Sequence, residues 1–315
     1  MFGLASPQKL RQLGIVGMNL RNVNYIAHNN PRHLYPNVDD KYQTKLLCAE
    51  HDIAVPKLLG ACRTQGHVNE LQDFFKNLQQ FVIKPAKGSG GKGILVIVGR
   101  DGEDYVKPSG AKLTHEELCR HTSNILSGLF SLGGKPDIAL IEDLVAFTDD
   151  FEGFSYEGVP DVRVIVYRGF PVMAMTRLST HESDGKANLH QGAVGVGIDI
   201  ATGKALRAVQ HDRPIAQHPD TGKLLTSLVV PHWQQLLLLS ARGYEVSEMG
   251  YLGVDIVLDK NHGPLLLELN ARPGLAIQVA NGMGLKPRLD FVESCAINLS
   301  PEERVALAVQ QFSNS

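Results

Sequence analysis

Glu268, Asn270 and Arg272 close an apolar run, Leu265-Leu266-Leu267-Glu268-Leu269-Asn270-Ala271-Arg272-Pro273-Gly274. The run reads as a buried strand. Residues two apart on a strand leave the same face, so Glu268 and Asn270 point together. Both are hard oxygen donors of the kind Mg²⁺ takes. Arg272, just past the strand, carries a planar fork of donors that suits a phosphate or a carboxylate. Asp255 lies in a second apolar run at 251–258, separated from the first by Asp259-Lys260-Asn261-His262-Gly263-Pro264. Two such runs joined by a polar turn form an antiparallel hairpin, which brings Asp255 near Glu268. Any one of these residues alone also fits a solvated strand end. The set, with Asp255 opposite, points to a site for one or two magnesium ions.

A second constellation is Gly88-Ser89-Gly90-Gly91-Lys92-Gly93, which matches G-x-G-x-x-G. The dinucleotide fingerprint needs a helix after the loop. Here the β-branched run at 94–98 follows, so that reading fails. Neither serine nor threonine follows a lysine in the P-loop position. A glycine loop between two strands is instead a flap that can cover nucleotide phosphates, because backbone N–H groups approach the oxygens unobstructed. Lys84, before Pro85 at the mouth of the loop, places a point charge beside those phosphates.

These residues need a scaffold, and 315 residues are enough for a large core and two or more subdomains. The chain is 43% hydrophobic and 20% charged with a formal net charge of −2, which gives no global attraction to nucleic acid or to an anionic membrane. Cys48, Cys62, Cys119 and Cys295 are scattered without zinc or redox spacing, as expected of free thiols in a reducing cytoplasm. No signal peptide and no membrane span is expected.

Residues 1–40 read as an irregular arm, in which Arg21, Asn22, Asn29 and Arg32 either meet substrate or are solvated. Helices are expected over 41–51 and 68–78, the latter on the apolar face of Val68, Leu71, Phe74, Phe75 and Leu78. Strands follow at 81–84 and 94–98, then a helix over 114–129 with a Thr114–Glu117 capping box, and a buried strand at 138–142. A hairpin is expected at 161–166 and 171–177 around Arg168-Gly169. Ser183 to Asn188 forms a polar loop. A helix over 231–242 should stop at Gly243, and Ser300-Pro301-Glu302-Glu303 opens the last helix. The expected class is α+β with two lobes. The domains are an N-terminal arm at 1–40, a helical region and small lobe at 41–142, and a large lobe at 143–315.

The ordered set Lys45, Lys84-Pro85, the glycine flap, Ile141-Glu142-Asp143-Leu144-Val145, Asp161-Val162-Arg163, Asn188-Leu189-His190-Gln191-Gly192, Asp255 and Glu268 to Gly274 resembles the ATP-grasp superfamily. Within it, the chain resembles the alpha-L-glutamate ligase-like branch, which includes the enzyme that adds glutamates to a ribosomal protein. His218-Pro219-Asp220-Thr221-Gly222 and Val230-Pro231-His232-Trp233 are similar to sugar-transfer-associated members. The resemblance covers roughly residues 38–290. It implies two lobes gripping ATP in a cleft, with a truncated N-terminal region, and carboxylate–amine ligation through an acylphosphate.

By motif, the resemblance assigns ATP to Lys45, Lys84, Gly88, Ser89, Gly90, Gly91 and Gly93, with Glu142, Asp143, Leu144 and Val145 lining the adenine. It gives the metal to Asp255, Glu268 and Asn270, and the reacting groups to Arg163, Arg177, Asn188 and Arg272. Glu142 stands where relatives often carry glutamine. The implied cofactors are ATP and Mg²⁺, two ions, with Mn²⁺ as a substitute. The implied substrate is an amino acid, peptide or protein, with no nucleic acid and no membrane insertion. Two other readings remain open: a nucleotide-binding module without turnover, and a phosphotransferase. Substrate-dependent ADP release separates the first from a ligase; the fate of the phosphate separates the second.

Overall fold

The computed structural model describes residues 6–313 except Ser89 and Ile297. It divides into two compact units. One holds 39–46 and 55–146; the other holds the residues up to Val38, Leu47–Ala54 and those from Phe147 onward.

Among its described residues the first unit contains seven short strands: β1 (Leu58–Cys62), β2 (Phe81–Pro85), β3 (Leu95–Ile97), β4 (Gly99–Asp101), β5 (Asp104–Val106), β6 (Lys112–Leu113) and β7 (Ala139–Glu142). They form an antiparallel sheet in the order β1-β7-β2-β3 and a smaller one in the order β4-β5-β6. Phe75, Phe81, Ile83, Tyr105, Leu118, Ile125 and Ile141 build the core, with Phe75 stacked on Phe81 at 4.3 Å. The helix His115–Leu126 opens with the expected capping box of Thr114 and Glu117. The helix expected over 68–78 is two short ones, Gln65–Asn69 and Leu71–Phe75. Thr64 caps the first through His67 N–H, so it starts a turn early. Asn69, a weak helix former, ends it. Phe74 leaves the apolar face and packs its ring where a Cβ on Gly60 would sit.

The second unit is built on a seven-stranded antiparallel sheet. Its strands are β8 (Asp161–Tyr167), β9 (Phe170–Leu178), β10 (Val194–Ile198), β11 (Ala205–Gln210), β12 (Arg213–Ile215), β13 (Tyr251–Asp259) and β14 (Gly263–Asn270). Their order is β12-β11-β10-β9-β8-β13-β14. The β8–β9 hairpin turns at Arg168 and Gly169, both at positive φ (48° and 80°), as the tight two-residue turn requires. Every residue of β13 is buried, so both faces of the sheet are covered there.

The helix expected to stop at Gly243 runs from Trp233 to Ser247. Gly243 lies inside it, where an added Cβ would come 3.2 Å from Val254 and 3.3 Å from Leu269. This glycine allows close helix–sheet approach, and the stop comes at Glu248 in the left-handed region. The last helix, Pro301–Gln311, has the expected Ser300–Glu303 box. Among the described residues no helix is long and apolar enough to cross a membrane.

The N-terminal segment is mostly exposed but is anchored at a few buried positions, among them Tyr25, Ile26 and Asn30. Residues 7–12 and 18–29 are helical and belong to the second unit. The buried Asn30 side chain accepts from Tyr251 N–H (2.9 Å) and donates to the carbonyls of Tyr251 (2.7 Å) and Ala271 (3.0 Å). Tyr25 packs edge-on to Tyr167 at 5.6 Å. A single amide replacing strand partners leaves little trace in a hydrophobic pattern.

Candidate active site

In the first unit, Lys45 and Lys84 converge on one carboxylate. Glu142 Oε1 lies 3.0 Å from Lys45 Nζ and Oε2 lies 2.7 Å from Lys84 Nζ. Strand register explains part of this. Glu142 pairs with Val82, two before Lys84, so both side chains leave the same face of β2 and β7. Lys45 also donates to Pro56 O at 2.5 Å. All three side chains are buried. Burial pushes the Glu142 carboxyl upward, but the charges of Lys84 and Lys45 outweigh it and hold it below its ordinary range.

The glycine loop follows in the same unit. Gly90, Gly91 and Gly93 all have positive φ, and nothing stands where a Cβ on Gly90 or Gly91 would be. The loop's ends are pinned. Gly88 bridges Ser131 and its carbonyl accepts from Lys41 Nζ at 2.8 Å. Asp137 accepts from Lys87 N–H, and His121 Nε2 lies 2.9 Å from Gly93 O. Ser89 lies outside the described residues. After β7, Asp143 N–H donates to Lys57 O at 2.9 Å while Leu144 and Val145 are half-buried.

In the second unit, charged residues line one face of the large sheet. Register pairs Arg177 with Asp161, Arg163 with Asp255, and Asp255 with Glu268. Directly opposed residues share a face, so these side chains form a block across β9, β8, β13 and β14. Arg163 grips Asp255 with two hydrogen bonds, Nε to Oδ1 at 2.7 Å and Nη2 to Oδ2 at 2.5 Å. Arg177 grips Asp161 in the same way, with Nε–Oδ1 at 2.6 Å, and reaches Asp255 Oδ2 with Nη2 at 2.9 Å. Asn270 Nδ2 donates to Asp255 Oδ2 at 3.2 Å. The expected hairpin is present, with a register shift between Asp255 and Ile256. Such bulges re-aim side chains.

The electrostatics follow from this packing. Burial raises the Asp255 carboxyl, yet Arg163 and Arg177 overcome that and bring it to about 2. Asp161 is pushed up, by burial first, against the pull of Arg177 and with the push of Asp255. For Arg177, burial disfavours the charge but Asp161 and Asp255 raise it, so it is a permanent cation.

Asp255, Glu268 and Asn270 are hard donors gathered on neighbouring positions of one hairpin, and that donor chemistry fits Mg²⁺. Among the described residues no group of three or more His, Cys, Asp or Glu is placed to hold a metal. The proposed set differs in having two acids and an amide.

One family model, described as sugar-transfer associated ATP-grasp, matches residues 20–294. The chain belongs to this family. Its α+β fold is therefore the ATP-grasp fold. No curated protein sequence matches. Among solved structures, D-alanyl-alanine synthetase A of Vibrio cholerae is 13% identical, with a TM-score of 0.47, and covers 89% of this chain and 66% of its own. The D-cycloserine synthetase DcsG is 14% identical, with a TM-score of 0.43, and covers 90% of this chain and 73% of its own. The ATP-grasp ligase PsnB, complexed with minimal precursor, is 14% identical, with a TM-score of 0.44, and covers 83% of this chain. This ATP-grasp chain spans 60% of PsnB's length.

The remaining expected residues of this ATP-grasp protein stand apart from the two clusters. Arg272 is exposed, with its guanidinium 4.6 Å from the centre of the Tyr35 ring. Arg21 donates to the neighbouring Pro273 carbonyl at 2.7 Å. Asn188 accepts from His190 N–H at 3.0 Å and so caps its own loop.

The structure also adds residues that had no role in the sequence. Asp161 is the carboxylate that holds Arg177; its spacing of two from Arg163 was the available signal. The His218-to-Gly222 segment is a brace. His218 Nε2 lies 3.0 Å from Ser179 O, Asp220 Oδ2 accepts from His181 N–H at 2.8 Å, and Thr221 donates to Gly153 O at 2.5 Å. It thus ties the loop leaving β9 to the one entering β8.

Proposed function

We propose that the protein is an ATP-dependent ligase that joins a carboxylate to an amine, on an amino acid, peptide or protein, through an acylphosphate. The observation that carries this reading is the block of Arg177, Asp161, Arg163, Asp255, Glu268 and Asn270 on one sheet face. It combines hard metal donors with two fixed guanidiniums and contains no serine or cysteine nucleophile. Lys45 and Lys84 are assigned to the ATP phosphates, the open glycines to the flap above them, and Glu142 to Val145 to the adenine. Asp255, Glu268 and Asn270 are assigned one or two Mg²⁺ ions, or Mn²⁺, which when bound would neutralise phosphate charge. The cytoplasm, where ATP is at hand, is the proposed location; the four cysteines are free thiols.

A carboxylate is a poor electrophile at neutral pH. In the proposed reaction a carboxylate oxygen attacks the γ-phosphorus of ATP, the bond to the β-bridging oxygen breaks, and ADP leaves. The amine nitrogen then attacks the acyl carbon, the acyl C–O bond breaks, phosphate leaves, and the nitrogen loses a proton. Phosphoryl transfer is mostly a matter of positioning and charge compensation. Arg163, Arg177 and the exposed Arg272 supply donors for the acyl phosphate, and Asn188 belongs to the loop proposed to meet the acceptor.

The test is an ADP-release screen over amino acids, peptides and amino sugars, the last because of the family's description. A productive pair is then run with carboxyl-¹⁸O-labelled donor. One labelled oxygen should appear in the released phosphate. Unlabelled phosphate beside a formed amide rules the mechanism out. A stable phosphorylated product without amide favours a phosphotransferase, and no substrate-dependent ADP release across the screen favours a binding module.

A further inference from the structure

We infer that Asp255 is exchanged between Arg163 and the metal, so that metal binding releases Arg163 to hold the anionic group of the substrate. This rests on the ligase reading of the same site and specifies how its parts are coupled. A carboxylate offers about four lone-pair positions. Four donor atoms already aim at Asp255: Arg163 Nε and Nη2, Arg177 Nη2 and Asn270 Nδ2. Three of them, Arg163 Nη2, Arg177 Nη2 and Asn270 Nδ2, share Oδ2, which has two lone pairs, so a metal ion that takes Oδ2 must displace a donor.

The two arginines are not equivalent in this respect. Arg177 keeps a two-point grip on Asp161 whatever happens at Asp255. Both side-chain hydrogen bonds of Arg163 go to Asp255. The displaced arginine is Arg163, and its side chain is only 13% exposed, so water compensates it poorly. A buried guanidinium without a partner is costly, which creates a demand for another oxyanion. The acyl carboxylate or acylphosphate, planar or tetrahedral oxygens that suit a bidentate fork, meets that demand.

Charge points the same way. The two guanidiniums and the carboxylates of Asp161 and Asp255 cancel formally, so without metal they give an anion no net attraction. A divalent ion makes the group +2. Metal and anion should therefore strengthen each other's binding, and by linkage the effect is reciprocal.

The experiment uses the full chain with ¹⁵N-labelled arginine and follows the side-chain Nε–H signals, assigned with Arg163→Lys and Arg177→Lys. The probes are Mg²⁺ alone and inorganic phosphate; Mn²⁺ binding by electron paramagnetic resonance establishes occupancy. Mg²⁺ should speed solvent exchange at the Arg163 Nε–H by about tenfold or more and leave Arg177 unchanged. Mg²⁺ should also tighten phosphate binding about tenfold, within the usual range of coupling between sites, and Arg163→Met should lose that gain. That variant leaves Asp255 paired with Arg177 and Asn270, so the carboxylate is not stranded.

Bound metal with an unchanged Arg163 signal overturns the exchange. So does equal loosening of both arginines, a phosphate gain that survives in Arg163→Met, or no Mn²⁺ binding at millimolar concentration. None of these readouts needs turnover. Successful ¹⁸O transfer with an unmoved Arg163 would sink the exchange and leave the ligase reading standing. A released Arg163 in a protein with no substrate-stimulated ADP release would do the reverse.

Discussion

Replacing Glu142 by glutamine should destabilise the first unit and at the same time enlarge its stabilisation by ATP. The carboxylate faces Lys45 at 3.0 Å and Lys84 at 2.7 Å, and it is 2% exposed. Glutamine keeps the shape but removes the charge, and its amide nitrogen is a donor that cannot face a lysine, which has donors only. Removing one partner of a buried ion pair costs about 3–5 kcal/mol, because the remaining charge is stranded. Lys45 retains Pro56 O, so the lower end, about 3 kcal/mol, is expected. Hydrogen exchange of the β2 and β7 amides reads this unit by itself, since exchange reports the local opening free energy. ATP phosphates would then supply the missing negative charge without competing against a carboxylate. A tenfold tighter site adds about 1.4 kcal/mol of stabilisation at saturating ATP. A loss below about 1 kcal/mol, well short of the buried-pair cost, or an ATP effect no larger than wild type, would refute the view that Glu142 stands in for phosphate.

Further outcomes follow from the second unit. Glu268→Gln should lower turnover by about 10²-fold or more, by analogy with other charge stabilisers, while ATP still protects the fold against heat; near-normal turnover removes Glu268 from the metal set. Asp255→Asn is a less clean probe, because it also strands Arg163, and it should cost about 3–5 kcal/mol in urea unfolding. Arg272→Ala should leave the unfolding midpoint unchanged, as its side chain is exposed, yet reduce turnover far more than ATP affinity; equal losses in both would contradict an acyl-phosphate role. Asp255, at about 2, and Glu142 both titrate below their unfolded values near 4. Their stabilisation is therefore complete above about pH 4 and lost as pH falls toward 2, partly offset by Asp161, which is raised. Urea midpoints that stay flat from pH 4 to pH 2 would show that the ion pairs do not matter. Asp220→Ala should speed amide exchange over the loop after β9, with Asp220→Asn close to wild type; identical exchange in all three proteins would deny the brace.

The sequence exposed the Asp255–Glu268 hairpin because two long apolar runs around one polar turn have few other solutions, and strand periodicity then fixes the face. The β8–β9 hairpin was legible for the same reason. The loop between β2 and β3 was legible because glycine, which adopts positive φ without steric cost, recurs at 90, 91 and 93. Gly243 misled because the sequence cannot distinguish a glycine that ends a helix from one that lets the helix approach a sheet. The N-terminal segment misled because Asn30 substitutes for strand partners on residues more than two hundred positions away.

What the sequence could not reveal is which charges neutralise one another. Glu142, Asp161 and Asp255 were visible as acids, and Lys45, Lys84, Arg163 and Arg177 as bases, yet their pairing depends on three-dimensional register. That pairing changes the meaning of the site. The same carboxylates proposed for nucleotide and metal are, in the free protein, the counter-ions of the cations proposed for phosphate. Two lysines share Glu142 and two arginines share Asp255, so a phosphate held by these cations would compete with a built-in anion rather than meet an idle cation. Such an arrangement avoids stranding buried charge before substrate arrives, and it makes each binding event depend on the exchange of partners.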